Sequence, residues 1–188
     1  MGVDATEPPP QIRGTGRTVA TLFTITTYGN WLRGDQRGWV EDGVVYPAEP
    51  ALQAWDRQRM HHPPYRFPRD QWLGIGDAIG RALVDRLGVR VYGLAIQSWH
   101  VHGHIGANRV DIADVIQCAK EAARYHLAAG RPIWADGYDK RWCFNWPVAG
   151  ARLRYVQRHN LQNGWEPNPW PWLTTPPELV AWLAEHPI

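Results

Sequence analysis

The sequence predicts an α+β fold: a ferredoxin-like (RRM-like) antiparallel sheet with helices on one face and a loop insertion after the first strand. Three observations point to it. The elements run strand, helix, strand, strand, helix, strand, helix, which is the split βαββαβ order followed by one further helix. Two stretches with apolar residues every three to four positions separate the strands. The second and third strands are joined by almost nothing, as in an antiparallel hairpin. With 188 residues the chain suits one domain with a real core. The expected division is a disordered leader over 1–17, the folded domain over 18–164, and a Trp/Pro-rich tail with a short helix over 165–188.

Residues 18–28, TVATLFTITTY, are β-branched and aromatic without a breaker, as a central strand is, and Gly29 ends it. Residues 29–69 are rich in Gly, Pro and charge with no sustained period. They read as an inserted loop region with one short helix near 50–60. In 70–87, Trp72, Ile75, Ile79, Leu83 and Leu87 recur at helical spacing, Asp70 is placed to cap the start, and Gly88 stops it. VRVYGLAIQ (89–97) and WHVHGHIG (99–106) form the hairpin. The next helix puts Ile112, Val115, Ile116, Ala119 and Ala123 on one face and ends before Gly130. PIWADGYDKRWCFNW follows as a bent strand or hairpin, then a helix opening at Pro147, where the first turn tolerates proline. A last helix is marked by a capping box from Thr175 to Glu178, with Pro176 in its first position.

Composition narrows the function. No apolar run reaches 18 residues and the first ten residues carry no basic, apolar leader, so the reading is a cytosolic protein with no membrane partner. Cys118 and Cys143 lie far apart with no CxxC pairing, so any metal must rely on imidazole, carboxylate or amide ligands. All but two of the 20 basic residues are arginine, whose planar fork suits phosphate. Twelve tryptophans and seven tyrosines supply faces on which single-stranded nucleic acid stacks.

The stretch QSWHVHGHIG (97–106) sets three histidines at alternate positions. Alternate side chains of a strand share a face, so His100, His102 and His104 point one way while Trp99, Val101 and Ile105 seal the core on the other. The histidine face is expected to be exposed. Imidazoles two apart on a strand can chelate one ion such as Zn, Mn, Fe or Ni, or Mg when phosphate oxygens complete the shell. At 100° per residue, Arg152, Tyr155 and His159 fall in one stripe of the helix near 148–163, with Leu153 and Val156 turned toward the core. A tyrosine and a histidine one turn apart can face the paired histidines. A phenol, with a pKa of about 10, is a poor nucleophile at neutral pH, but it can attack phosphorus when a metal polarises the phosphoryl oxygen.

The set TYGNWLRGDQRGWV (27–40), WHVHGHI (99–105), RPIWADGY (131–138) and RYVQRHN (154–160), in that order, resembles the single-tyrosine HUH transposases, and is most similar to their REP-associated branch. The resemblance covers roughly 20–160. It implies the HUH endonuclease version of the fold, with His100, Val101 and His102 as the motif that names the family and Tyr155 as the nucleophile. It implies a divalent metal, Mg or Mn, held by His100, His102 and a third ligand, His159 by position, with Asn160 and Gln157 as alternatives. Three departures stand out. His104 replaces an apolar residue, Ser98-Trp99 replaces the usual Pro-Asp or Pro-Asn, and His159-Asn160 stands where the branch commonly has Asn-Pro.

The implied activity is cleavage and rejoining of single-stranded DNA near hairpins through a covalent 5′-phosphotyrosine, in a bacterial cytoplasm, at the nucleoid when bound to DNA. The implied assembly is a monomer or a homodimer. Arg152, Arg154 and Arg158 on the tyrosine helix, and Trp31, Arg33 and Arg37 in the loop after the first strand, are the candidate DNA contacts. The tail around GWEPNPWPWL either grips a hairpin or packs back over the core. Two other readings stay open: a hairpin-binding protein without catalysis, and a zinc hydrolase using His100, His102 and His104. Alternating side chains on one strand diverge too far to close comfortably on one tetrahedral ion, which disfavours the latter.

Overall fold

The computed structural model describes residues 17–41 and 44–187; nearly all of the expected leader lies outside them. Strand β1 (Ala20–Thr26) is followed by a small hairpin, β2 (Trp39–Glu41) and β3 (Val44–Tyr46), and by helix α1 (Pro50–Gln58). Helix α2 (Trp72–Leu87), strands β4 (Val91–Ile96) and β5 (His100–Gly106), and helix α3 (Ile112–His126) come next. Strand β6 (Asp139–Cys143), helix α4 (Trp146–Gln162) and helix α5 (Pro177–Glu185) complete the chain. The main sheet runs β4-β5-β1-β6, with every pairing antiparallel. This is the ferredoxin-like arrangement that the element order predicts.

The insertion holds more than the expected helix. Trp39 and Tyr46 face each other across the β2–β3 pair with stacked rings 4.5 Å apart. Three-residue strands are too short to leave a period-two signal among glycines and charges, so the hairpin was not legible in the sequence.

The two crossover helices, α2 and α3, share one face of the sheet. Ile75, Ile79 and Leu83 of α2 and Val115, Ile116 and Ala119 of α3 close over Phe23, Ile25, Val101 and Ile105 in the larger core. Each large apolar side chain withdrawn from water there contributes about 1.5–3 kcal/mol. Helix α4 lies on the opposite face, where Leu153 and Val156 meet Ala20, Leu22, Tyr92 and Ala95. Helices on one face therefore describes the crossovers and not α4. The histidine face, expected to be exposed, is covered by α4, and His102 and His104 are buried.

Helix boundaries follow local chemistry. The Asn145 side chain accepts from the Val148 amide at the start of α4, and Pro147 sits within the first turn. Gly88 ends α2 in the left-handed conformation, φ 62°. Asp70 belongs to a 3₁₀ turn ahead of α2 and does not cap it. The capping box expected at Thr175 is also absent: Pro176 is the N-cap, Pro177 opens α5, and no side chain bonds the free amides. The tail packs back over the core. Trp170 is buried against α2, stacks on Trp172, and donates from Nε1 to the Leu73 carbonyl. Gly76 and Gly80 on α2 leave the space these two indoles fill, since a Cβ at either position would run into a ring.

Candidate metal and tyrosine site

Strand β5 is central in the sheet, between β4 and β1, so its backbone is fixed from both sides. Thr26 pairs with His100, Thr24 with His102 and Leu22 with His104. Helix α4 crosses the face on which these histidines stand, held by its inner stripe of Leu153 and Val156. Tyr155 and His159, one turn apart, are thereby brought down onto His100 and His102.

The ring centroids of His100 and His102 are 4.5 Å apart. Those of His102 and His159 are 4.8 Å apart with their planes inclined at 29°, and Tyr155 lies 4.7 Å from His159 and 5.0 Å from His102. One nitrogen from each of His100, His102 and His159 can be chosen so that all three lie within 4.8 Å of one another, which suits a shared metal ion. The Tyr155 hydroxyl is 3.2 Å from His102 Nε2. On the other side of that ring, Nδ1 is 2.9 Å from Thr24 Oγ1. A neutral imidazole satisfies both contacts when Nδ1–H donates to Thr24 and the Nε2 lone pair accepts the phenolic hydrogen. The same lone pair is the one a metal would take.

Burial is the main cause of every titration shift in the site. It holds His100 down to about 3, with His159 and Arg37 adding repulsion. It keeps His102 well below the ordinary imidazole range, helped by His100, His159 and Arg141. His159 is lowered by burial and then by the neighbouring Arg158. All three imidazoles are thus neutral near pH 7, the state a metal ligand requires. Burial pushes the Tyr155 phenol up from its ordinary value, so it rests protonated.

The donor set fits a divalent ion. Among the described residues, His100 Nδ1 and His159 Nε2 are buried without a hydrogen-bond partner, an arrangement that costs free energy unless something else accepts the lone pair or proton. Three imidazoles match Mn better than Mg, which would need phosphate oxygens to fill its shell.

The other sequence candidates separate clearly. His104 stays outside the group of three; it lies at the floor of the face beside the Tyr92 ring and 3.8 Å from Cys143 Sγ. Gln157 and Asn160 are turned to structural tasks. The Asn160 amide donates to the Leu94 and Pro167 carbonyls, and Gln157 joins Arg154 to Asn168. Arg152 is buried, donating to the Trp142 carbonyl and toward Cys143 Sγ, which removes it from any surface phosphate. Arg154 is likewise engaged, closing the end of α5 by donating to the Leu183 and His186 carbonyls. Arg158 alone of the three is exposed, with no hydrogen bond or ion pair among the described residues.

In the insertion, Arg33 forms an ion pair with Asp56. Arg37 is pinned by Asp35 and lies 4.8 Å over Trp31 and 4.7 Å over Trp99, and Trp99 packs 4.1 Å from His100. Arg37 therefore braces the loop against the site through paired charge and aromatic contact, and Trp31 keeps an exposed edge. Trp99, expected to seal the core with Val101 and Ile105, instead lies just ahead of β5, half-buried between Arg37 and His100. Thr24 is the residue that sequence reasoning missed, because it meets His102 only through strand register.

No protein-family model matches the chain, and no curated protein matches it. Among solved structures the chain is similar to a REP-associated tyrosine transposase bound to a REP hairpin, with a TM-score of 0.46 and 12% identity over 86% of this chain and 80% of that one. It is also similar to a candidate transposase from Deinococcus radiodurans, with a TM-score of 0.40 and 15% identity over 80% of this chain and 97% of that one. At these values neither likeness bears on the chemistry, which has to come from the side chains of this chain.

Proposed function

We propose that this protein is a metal-dependent single-stranded DNA endonuclease and strand transferase, acting near DNA hairpins through a covalent 5′-phosphotyrosine at Tyr155. The observation that carries the reading is the Tyr155 hydroxyl 3.2 Å from His102 Nε2, inside a cluster of three neutral histidines suited to one ion. His100, His102 and His159 would hold the ion, Mn by donor preference or Mg with help from the substrate. The chemistry it supplies when bound is withdrawal of charge from the phosphoryl oxygen and the departing 3′ oxygen.

The chain's own residues do the rest. Helix α4 fixes the phenol at one position and orientation, so attack on phosphorus loses little entropy at the moment of reaction. The Tyr155 oxygen forms the new bond to phosphorus, the bond from phosphorus to the 3′ oxygen breaks, and that oxygen leaves as a 3′-hydroxyl. Because burial keeps the phenol protonated at rest, its proton departs as the bond forms, and the net step passes one proton, by way of solvent, from the phenol to the departing 3′ oxygen. A second 3′-hydroxyl reverses the step and joins strands, since one phosphodiester is exchanged for another of similar energy. Arg158, exposed beside the site, and the outer edge of Trp31 are the available contacts for the DNA backbone and a base.

The test mixes purified protein with labelled single-stranded hairpin DNAs and Mn²⁺ or Mg²⁺, and resolves the products on a denaturing gel beside Tyr155→Phe. A metal-dependent protein-linked label that vanishes in Tyr155→Phe is the expected result. An adduct that persists in the variant assigns the nucleophile elsewhere. Tight hairpin binding without any adduct makes the protein a non-catalytic hairpin binder.

A further inference from the structure

Strand β6 forms one edge of the main sheet, and its two faces carry different chemistry. Asp139 pairs with Thr24 and Arg141 with Leu22, which places them on the side of the histidines. Lys140 pairs with Phe23 and Trp142 with Thr21, on the opposite side. Tyr138, just ahead of the strand, continues the second set. Tyr138 and Trp142 are 37% and 41% exposed, large fractions for aromatic rings. The Lys140 ammonium lies between them, 5.7 Å from one ring centre and 5.6 Å from the other. The stripe therefore reads aromatic, cation, aromatic.

Lys140 and Trp142 of this stripe line a cleft of about 590 Å³ whose lining also includes Arg17 and Arg109, and Tyr138 extends the stripe beyond it through its contact with Lys140. Among the described residues the cleft's only acidic lining residue is Asp111, and that carboxylate accepts the Ala113 amide at the start of α3. Three cations thus face one acid already engaged by the backbone. The packing of the core does not need the stripe. Neither exposed ring belongs to a buried cluster, and charges on both sides of the aromatics would be poor choices for a partner that buries an apolar face.

We propose that this cleft, together with the Tyr138 ring that continues the stripe beside it, is a second binding site, for single-stranded nucleic acid, on the face of the sheet opposite the histidines. Alternating aromatic planes and cations match the two features every single strand offers, base faces and backbone phosphates, whatever its sequence. A strand held there would reach the tyrosine face by passing round the outer edge of β6. The cleft is separate from the site of Tyr155, and the proposal stands whether or not that tyrosine is a nucleophile.

The test is equilibrium binding of a fluorescein-labelled oligo(dT), which forms no hairpin, to the full chain in EDTA, so that no metal-held contact contributes. Trp142→Ala and the double variant Lys140→Glu/Arg109→Glu are each expected to weaken binding about tenfold, with Trp142→Phe retaining it. The double variant is further expected to reduce the salt-dependence slope by about 1.4, at about 0.7 for each phosphate that the protein no longer neutralises. All three substituted positions are exposed, and unchanged thermal unfolding would verify that the fold is intact. Affinity altered by less than twofold in both variants overturns the proposal. So does inorganic polyphosphate or duplex DNA competing as well as a single strand, because the rings would then have no part.

Discussion

His102 makes the site what it is, because one ring is claimed from two sides. Thr24 Oγ1 lies 2.9 Å from Nδ1, and Tyr155 Oη 3.2 Å from Nε2. A hydrogen bond at the far nitrogen fixes the tautomer and the ring plane of a metal-ligating histidine. Thr24→Val is therefore expected to weaken Mn²⁺ binding about 10- to 100-fold by calorimetric titration, with the fold retained. The assignment of ligands has its own test: His159→Ala should abolish that binding, whereas His104→Ala should keep it and lose stability instead. Retained binding in His159→Ala would remove His159 from the metal site. In the sequence, His100, His102, Tyr155 and His159 were legible because period-two and period-3.6 spacing assign side chains to faces. Thr24 was not, since a threonine in a β-branched run carries no mark of what lies across the sheet from it. Nor was the fate of Arg152, which spacing sets beside Tyr155 and the fold buries against Trp142 and Cys143.

Helix α4 determines where Tyr155 sits, so its anchoring should bear on activity. Its start depends on Asn145, whose side chain accepts the Val148 amide at 2.9 Å. Asn145→Ala is expected to cost about 1 kcal/mol of stability. Helix α2 serves as the seat of the tail. Gly76 and Gly80 face the rings of Trp170 and Trp172, and the Trp172 indole donates to Asp77. Gly76→Ala should accordingly destabilise by about 1–3 kcal/mol through overpacking, although alanine is the better helix former. A lower urea midpoint at unchanged slope would verify this, and a stabilised variant would show that the tail does not pack there. Long amphipathic helices such as α2 and α3 could be read from spacing alone. The β2–β3 hairpin and the proline-led start of α5 could not, because short elements and caps depend on contacts the local sequence does not encode.

Across the whole molecule, four histidines are buried or half-buried in the neutral state: His100, His102, His104 and His159. Burial holds His104 down to about 3, with Arg152 adding repulsion. Each of these groups has a folded pKa below its unfolded value, so the unfolded chain binds more protons as pH falls. The stability they allow is fully present above about pH 6.5 and is lost as pH drops from there toward about 3. Denaturant titrations between pH 7.5 and 4.5 should therefore show a steep decline, approaching about 1.4 kcal/mol per pH unit for each histidine that protonates on unfolding. A flat profile would mean that these imidazoles take up protons in the folded protein over the same range as in the unfolded chain. Mn²⁺ held at the proposed site of the folded state should raise the midpoint and steepen the loss at low pH. The sequence by itself determined the order of elements, the ferredoxin-like sheet, and the alternation that sets the histidines on one face, because these follow from local periodicity and chain chemistry. Only the tertiary structure decided that α4 covers that face, that His159 rather than His104 joins His100 and His102, and that two of the three helix arginines are committed to holding the fold. Those outcomes depend on register and packing between residues far apart in the chain, and no local pattern encodes the distance between them.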